Sequence, residues 1–299
     1  MKYILPKPDS SSTDEFISLI KNAPKNTTSL DFQNNNLSVR SSSELTRIFG
    51  AISELEFVNE LDLSFTGIFD NKTSHDYAQF LAFIPGRITT LHLDNNDLSN
   101  KSVYEVTHLF TAIPEGVTTL TLRDTKIFSN KKTAQSVCCV AAIPKNIKHL
   151  DLSDTRLIYK SSRDIEKIVA VMPNTLETLR WEFTNFTPTK IVKAMLIVLA
   201  EKVRLKVTGS FEKERAFTEL FAILQEKENN MARFPIQIEE WKNRHLSTIN
   251  HQRNKLHAFF APKHKTESFL MLEKIFAILE ISLEVNEPSP PQESFEPSF

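Results

Sequence analysis

Cysteine is scarce in this chain, with two copies among 299 residues. The two are adjacent, Cys138 and Cys139, and neighbouring cysteines form a strained bridge at best. A disulfide framework is therefore excluded, and folding does not depend on an oxidising compartment. The surrounding segment is apolar and offers neither a base nor a cation that would activate a thiol. We therefore expect both cysteines to be buried small hydrophobic residues in a protein of a reducing compartment.

Glycine, long apolar runs and excess charge are scarce as well. Five glycines in the whole chain form no phosphate-binding loop. The most apolar stretch, 194–200, is far shorter than the ~20 residues of a membrane span, and residues 1–9 lack the apolar run of a signal peptide. A formal net charge of −1 excludes electrostatic binding of nucleic acid by the molecule as a whole. With no recognisable catalytic or metal-ligand motif, the sequence predicts a protein that is not an enzyme and has no cofactor or metal.

One phrase recurs along the chain: Leu-x-Leu, then Asn or Thr three residues on, then an apolar residue two further. Its first residues are Leu30, Leu61, Leu91, Leu120, Leu150 and Leu179, which lie 31, 30, 29, 30 and 29 residues apart. Alternation predicts a short strand with two inward side chains. The polar residue can bond backbone groups where the chain turns away from the strand. We predict that turn role for Asn35, Thr66, Asn96, Thr125, Thr155 and Thr184.

A proline six residues before most of the first leucines ends the preceding helix. These prolines are Pro24, Pro85, Pro114, Pro144 and Pro173. Helical apolar spacing fills the intervals, so each unit is strand, loop, helix and return loop. No unit can bury its apolar face alone, whereas stacked units can. We predict an α/β solenoid of about six units over residues 1–211, with a degenerate closing strand near Val207. Helices over 212–285 would cap the stack, and a disordered tail over 286–299 would follow.

These long units resemble the ribonuclease-inhibitor-like class of leucine-rich repeats. The resemblance covers about residues 12–210 and implies a curved parallel sheet inside with helices outside. It also implies a protein partner, bound by the outward strand residues of the concave face. Early units are acidic there, later ones add arginine, and Phe65 is a candidate anchor. The candidate residues are Asp31, Glu60, Asp62, Ser64, Phe65, His92, Asp94, Thr121, Arg123, His149, Asp151, Ser153, Arg180 and Glu182.

The alternative for this face is solvated charge that only keeps the sheet soluble. We expect that reversing Asp62, Asp94 and Asp151 together removes binding and leaves the fold intact. A second alternative concerns the locally basic segment 242–265, which could contact an anionic membrane or RNA; a solvated helix face is the favoured interpretation of this segment. The histidines of this segment are too far apart to place three metal ligands on one helical face.

The chain also resembles leucine-rich-repeat effectors that intracellular bacteria inject into host cells. Ile84 and Pro85 precede Ile-Thr-Thr-Leu, and Ile113 and Pro114 precede Val-Thr-Thr-Leu, as in those proteins. The resemblance implies export by a type IV secretion machine that reads a flexible C-terminal signal, here 286–299, into the host cytoplasm. The partner would be a host protein. The alternative is an adaptor or enzyme, for example of the ubiquitin pathway, whose repeat recruits targets to the C-terminal helices. No cysteine lies in 211–299, which removes the thioester-forming version.

Overall fold

The computed structural model describes residues 1–6, 12–181, 206–208, 215–227, 230–257 and 267–280. Within these residues one parallel sheet of eight strands runs in chain order, each strand pairing with the next. Right-handed helical crossovers are the usual way to join parallel neighbours, and a helix follows most strands here. The strands are β1 (Lys2–Ile4), β2 (Ser29–Asp31), β3 (Glu60–Asp62), β4 (Thr90–His92), β5 (Thr119–Thr121), β6 (His149–Asp151), β7 (Thr178–Arg180) and β8 (Lys206–Thr208).

The first leucines of the phrase form one continuous column across the sheet. Leu30 pairs with Leu61, Leu61 with Leu91, and the register continues to Leu179. Val207 of β8 extends the column, which confirms the expected closing strand. At the other end Tyr3 of β1 pairs with Leu30, and this strand was not predicted. The protein is therefore the leucine-rich-repeat solenoid that its spacing predicts.

Helices connect the strands from β1 to β7, and each packs side by side with the next of these helices in sequence. In the helix over Ser42–Ile52, Leu45, Ile48 and Phe49 are fully buried, at the spacing of one helical face. The Phe49 ring lies 6.4 Å from Phe32 and 5.9 Å from Phe80, so the core is continuous between units. The helices are α1 (Thr13–Lys21), α2 (Ser42–Ile52), α3 (Ser74–Leu81), α4 (Val103–Thr111), α5 (Thr133–Ala141), α6 (Ser162–Ala170), α7 (Arg215–Gln225), α8 (Phe234–His257) and α9 (Glu267–Ile278).

Serine or threonine caps five of the first six helices. At α2 the Ser41 hydroxyl accepts from the Glu44 N–H at 3.3 Å, and the Glu44 carboxylate accepts from the Ser41 N–H at 2.8 Å. Thr13 of the preceding unit also donates to Glu44 at 2.6 Å. These bonds, that of Thr13 foremost, lower the pKa of Glu44 to about 2. At α5 the capping position holds Lys132 instead, whose side chain has no oxygen to accept a bond.

The polar turn residue of each described unit is buried and bonded to backbone carbonyls. Thr66 and Thr125 donate to the carbonyls of Leu63 and Leu122 at 2.7 and 2.8 Å. Asn96 reaches further: its amide donates to Leu93 at 3.0 Å and, across the unit boundary, to Leu63 at 2.9 Å. Asn35 donates to Leu5 at 3.3 Å, and Thr155 to Leu152 at 2.7 Å. The predicted residue Thr184 lies outside the described residues.

The chain divides into two compact units, residues 1–225 and 226–299. Helix α7 therefore belongs with the repeats, 14 residues beyond the boundary expected at 211. Its Leu220, Phe221 and Leu224 are buried. In the second unit the Trp241 ring of α8 lies 5.9 Å from the Phe276 ring of α9. The proposed secretion signal at 286–299 lies outside the described residues.

The two cysteines differ, contrary to expectation: Cys139 is buried, but Cys138 is exposed on α5. Burial raises the pKa of the Cys139 thiol to about 11. At pH 8 we expect a thiol reagent to label one cysteine per native chain rapidly, and the second only after unfolding, because the thiolate is the reactive species. Mass spectrometry counts the labels. Cys138→Ser should remove the rapid label, and two rapid labels in the native protein would contradict this assignment.

Candidate interaction surface

Five of the residues assigned to the concave face are buried, which corrects the expectation that they are open to a partner. The side chains of Asp31, Asp62 and Asp151 turn back onto their own strands. Each carboxylate accepts from the backbone N–H two residues on, at 2.7, 3.0 and 2.8 Å respectively. Ser64 donates to Asp62 and Ser153 donates to Asp151, and both serines are themselves buried. These carboxylates close the turn at the strand end, a structural role.

Reversing Asp62, Asp94 and Asp151 would therefore damage the fold, against expectation. Asp94 is half-buried, and it accepts from the Arg123 N–H at 2.7 Å. Burial is the main cause that raises the pKa of Asp94. A buried carboxylate that accepts a backbone N–H cannot be replaced by a cation without leaving that N–H unpaired and a like charge beside it. Loss of binding in such a triple variant would not separate binding from folding.

The acidic half of the face is partly neutralised by a residue that the sequence analysis missed. Strand β1 brings the Lys2 ammonium to 2.9 Å from Asp31 and 3.8 Å from Asp62. These interactions raise the pKa of Lys2, through its hydrogen bond to Asp31 above all. Only recognition of β1 as a strand would have revealed this contact, because Lys2 lies outside the repeating phrase. The charged side chains at this end of the face, Lys2, Asp31 and Asp62, thus pair with one another.

The middle of the face is half-exposed and carries hydrogen-bonding side chains. The His92 Nε2 atom lies 3.3 Å from Glu60, and its Nδ1 atom lies 3.0 Å from the Thr121 hydroxyl. His149 repeats the second contact with Thr178 at 2.8 Å. Each imidazole bridges to the next strand and keeps an edge towards solvent. This part of the sheet can donate to and accept from a partner.

Two arginines on this face are exposed, Arg123 and Arg180. Their Nε atoms lie 3.9 and 3.7 Å from the carboxylates of Asp154 and Asp151. Pairs this long contribute little to stability, and each exposed guanidinium group has donors that can bond a partner carboxylate. The predicted residue Glu182 lies outside the described residues.

Phe65 is the most unusual residue of the face. It is 54% exposed, and its φ of 56° places it in the left-handed region. Its N–H donates to the Asp94 carbonyl of the next unit at 3.0 Å, and this bond holds the backbone of Phe65 in the left-handed conformation just after β3. The equivalent position of the other described units also has positive φ but holds an asparagine or aspartate, which tolerate it. Those residues are Asn34, Asn95, Asp124 and Asp154.

Phe65 therefore carries two costs at once: a bulky side chain in strained backbone, and an aromatic ring in water. Strain of this kind concentrates at functional sites. A partner that covers the ring would recover the second cost. Of all the residues predicted on this face, Phe65 has the geometry best suited to an anchor.

The C-terminal basic segment differs from expectation where the structure describes it. Lys242 of α8 is buried and lies 2.7 Å from Glu239, so it is not part of a free cationic face. Residues 258–265 lie outside the described residues. Among the helices that the structure describes, none is long and apolar enough to cross a membrane. In the same residues no group of three potential ligands could hold a metal ion.

Comparison with known proteins supports the fold. No protein-family model and no curated protein matches the sequence. Among solved structures, the leucine-rich repeat-containing protein LegL7 from Legionella pneumophila is similar at 28% identity and a TM-score of 0.64. The similarity covers 75% of this chain and 69% of that chain. A tropomodulin C-terminal domain from Caenorhabditis elegans matches at 10% identity and a TM-score of 0.31, covering 75% of this chain and 98% of that chain.

Proposed function

We propose that this leucine-rich-repeat protein is a secreted bacterial effector that binds a host protein through the concave face of its repeats. Phe65 carries the binding part of this proposal. A fold built from stacked units offers a rigid, pre-formed sheet for recognition, so a partner meets little ordering cost on this side. The strained and exposed ring on that sheet is the feature that structural needs alone do not explain.

The chemistry of the face defines the partner. Phe65 requires an apolar pocket or flat apolar patch that covers one ring. His92, Thr121 and His149 require polar groups of either kind opposite the middle of the sheet. Arg123 and Arg180 favour carboxylates towards the later units. The partner surface is therefore apolar at one end and acidic at the other.

The effector part of the proposal rests on resemblance. The unit pattern Ile-Pro before Thr-Thr-Leu is like that of effectors of intracellular bacteria, and the similar solved structure is a leucine-rich-repeat protein of Legionella pneumophila. The proposed location is the host cytoplasm. A secretion assay with and without residues 286–299 tests this part: unchanged delivery of the shortened chain would remove the tail as its signal.

A bulky substitution in the middle of the sheet tests the binding face. Thr119 is half-buried on β5, next to His149 of β6. We expect Thr119→Arg to reduce capture of the host partner about tenfold. The arginine would place a bulky cation without a matching carboxylate at the centre of the interface, which weakens binding. The matched control is Gln79→Arg, which makes the same exchange of a polar side chain for arginine at an exposed position of α3.

The measurement is affinity purification from host lysate followed by quantitative mass spectrometry. A protein enriched by the wild type and by Gln79→Arg, but not by Thr119→Arg, is the expected partner. Equal enrichment by all three chains would remove the concave face as the binding surface. Circular dichroism of each variant controls for folding.

A further inference from the structure

A series of basic residues, missed by the sequence analysis, runs along the loops that enter the helices. The residue before each helix cap is basic from α2 to α6. Its side chain reaches back to the preceding unit: Lys72 donates to the Ser38 carbonyl at 2.9 Å, and Lys101 to the Lys72 carbonyl at 2.9 Å. Lys160 donates in the same way to the Lys131 carbonyl. The series is Arg40, Lys72, Lys101, Lys131 and Lys160.

Most members of this series have an acidic residue four positions on. Arg40 lies 3.6 Å from Glu44, and Lys101 lies 3.7 Å from Glu105. The same position holds Asp76 after Lys72 and Asp164 after Lys160. After Lys131 it holds the neutral Gln135, whose side chain still accepts from the Lys132 N–H at 2.7 Å.

Unit four thus departs from the pattern twice: Lys132 adds a positive charge, and Gln135 omits a negative one. Gln135 stands where its neighbours have a carboxylate, and Lys132 stands at the cap where they have serine or threonine. The cap of α5 lacks the hydroxyl acceptor of the others, and the positive end of the helix dipole adds to the local field. Neither exchange improves the helix, so helix stability does not explain them.

A cavity of about 730 Å³ opens at this place. Of the described residues that line it, none carries a carboxylate. Its basic and aromatic lining residues are Lys126, Lys131, Lys132, Arg156, Tyr159 and Lys160. In the described part of the chain, Lys126 is the only one of the five cations with a carboxylate in ion-pair distance, Asp97 at 3.0 Å. The Arg156 guanidinium donates to the Tyr159 hydroxyl at 3.2 Å, which holds both side chains at the rim.

We propose that this cavity binds a small ligand that carries phosphate ester groups. Lysine ammonium groups and an arginine fork are the side chains that bind phosphate oxygens, and four lysines and one arginine line this cavity. Among the described residues, the one carboxylate within ion-pair distance of them is Asp97, beside Lys126. The volume lies within the ~300–1,000 Å³ of small-molecule sites, which favours a compact polyanion over a polypeptide segment. The site lies on the loop side of the repeats, so its occupation leaves the concave face open.

Two effects within the site disfavour the charged form of Lys131. Lys131 is buried, and burial lowers its pKa. The neighbouring charge of Lys160 lowers it as well. A bound phosphate group would offset both effects, since an opposite charge within a few ångströms favours the protonated amine. The ligand's phosphates can belong to a lipid headgroup or to a soluble ester, which share this chemistry.

The test uses a variant that restores the pattern of the other units. Lys132→Ser with Gln135→Glu rebuilds a capping box, so the fold is expected to be at least as stable. The first exchange removes one positive charge from the cavity lining, and the second adds one negative charge on the adjacent first turn of α5. Titration calorimetry of the full chain with inositol trisphosphate should show binding by the wild type. Binding by the variant should be weaker by about tenfold or more, the usual effect of removing a charge-assisted bond. The affinity of the wild type should also fall as salt is raised.

The matched control is Lys145→Ser with Gln79→Glu, which makes the same charge change at exposed positions away from the cavity. It should bind as the wild type does. Co-sedimentation with phosphatidylcholine vesicles containing a phosphatidylinositol phosphate distinguishes the sources: sedimentation that requires Lys132 assigns a lipid headgroup, and binding of the trisphosphate without sedimentation assigns a soluble ester. No binding by the wild type, or equal binding by the wild type and the restored variant, overturns the proposal.

Discussion

Asn96→Ala is expected to lower the free energy of unfolding by about 3 kcal/mol, because two buried hydrogen bonds are lost at about 1–3 kcal/mol each. The Leu93 carbonyl loses its side-chain donor, whereas the Leu63 carbonyl keeps the Thr66 hydroxyl at 2.7 Å. The amide of Asn96 donates to Leu93 in its own unit and to Leu63 in the preceding one. It is 1% exposed, so water cannot replace it. The site lies in the middle of the stack, where a weakened boundary affects units on both sides.

Two matched variants separate the bonds. Asn96→Thr should retain the bond to Leu93, as Thr66 and Thr125 show at their own carbonyls, and should cost roughly half as much. Asn35→Ala removes one bond, to Leu5 at 3.3 Å, at the first boundary and should cost about 1 kcal/mol. Urea denaturation followed by circular dichroism measures all three. If Asn96→Thr is as stable as the wild type, the bond from Asn96 to Leu63 across the unit boundary contributes nothing to stability.

Phe65→Asn is expected to move stability and binding in opposite directions. Asparagine fits the left-handed backbone that four other units show, so the variant should be more stable by about 1 kcal/mol through relief of strain. Loss of an aromatic anchor should weaken partner binding about thirtyfold, the size of a binding hot spot. A substitution that stabilises the protein but weakens binding identifies a position selected for function.

The control is Phe57→Asn, which removes a ring that is 61% exposed from the loop before β3 of the same unit. It should leave capture of the partner unchanged. Urea denaturation gives the stability of each variant, and quantitative pull-down of the protein enriched by the wild type gives binding. A Phe65→Asn chain that is destabilised, or that captures the partner as the wild type does, would show that the ring serves the fold instead.

The fold was predictable because one physical requirement recurs with a fixed period. Each Leu-x-Leu phrase must bury its leucines against the next, and the register Leu30 to Leu179 is the direct result. Strand β1 escaped prediction because Lys2–Ile4 lacks the phrase; it is recruited by the open edge of β2, a tertiary effect. The domain boundary differed since the helical pattern of α7 does not reveal which unit it joins.

The sequence predicted which face of the sheet each site residue lies on, but it did not predict whether the side chain is exposed. Alternation correctly assigns Asp62 to the outer surface of its strand, but a short carboxylate there can fold back onto the nearest N–H and disappear from solvent. Cys138 shows the reverse case: an apolar segment suggests burial, and the helix turns that residue outward. The strain at Phe65 is a backbone property, which the residue's identity does not disclose. The basic series before the helix caps was present in the sequence at constant spacing and could have been found.

The hydrogen bonds between units join residues at nearly the same separation in sequence. Thr13 with Glu44, Asn96 with Leu63, and Lys101 with Lys72 each join residues 29 to 33 positions apart in sequence. A gene that loses or duplicates one whole unit would therefore bring an equivalent partner to every severed bond. Insertions and deletions inside a strand or helix would break the bonds of that unit with its neighbours. The architecture thus allows the length of the binding surface to evolve in steps of about thirty residues, while changes of a few residues are confined to the loops.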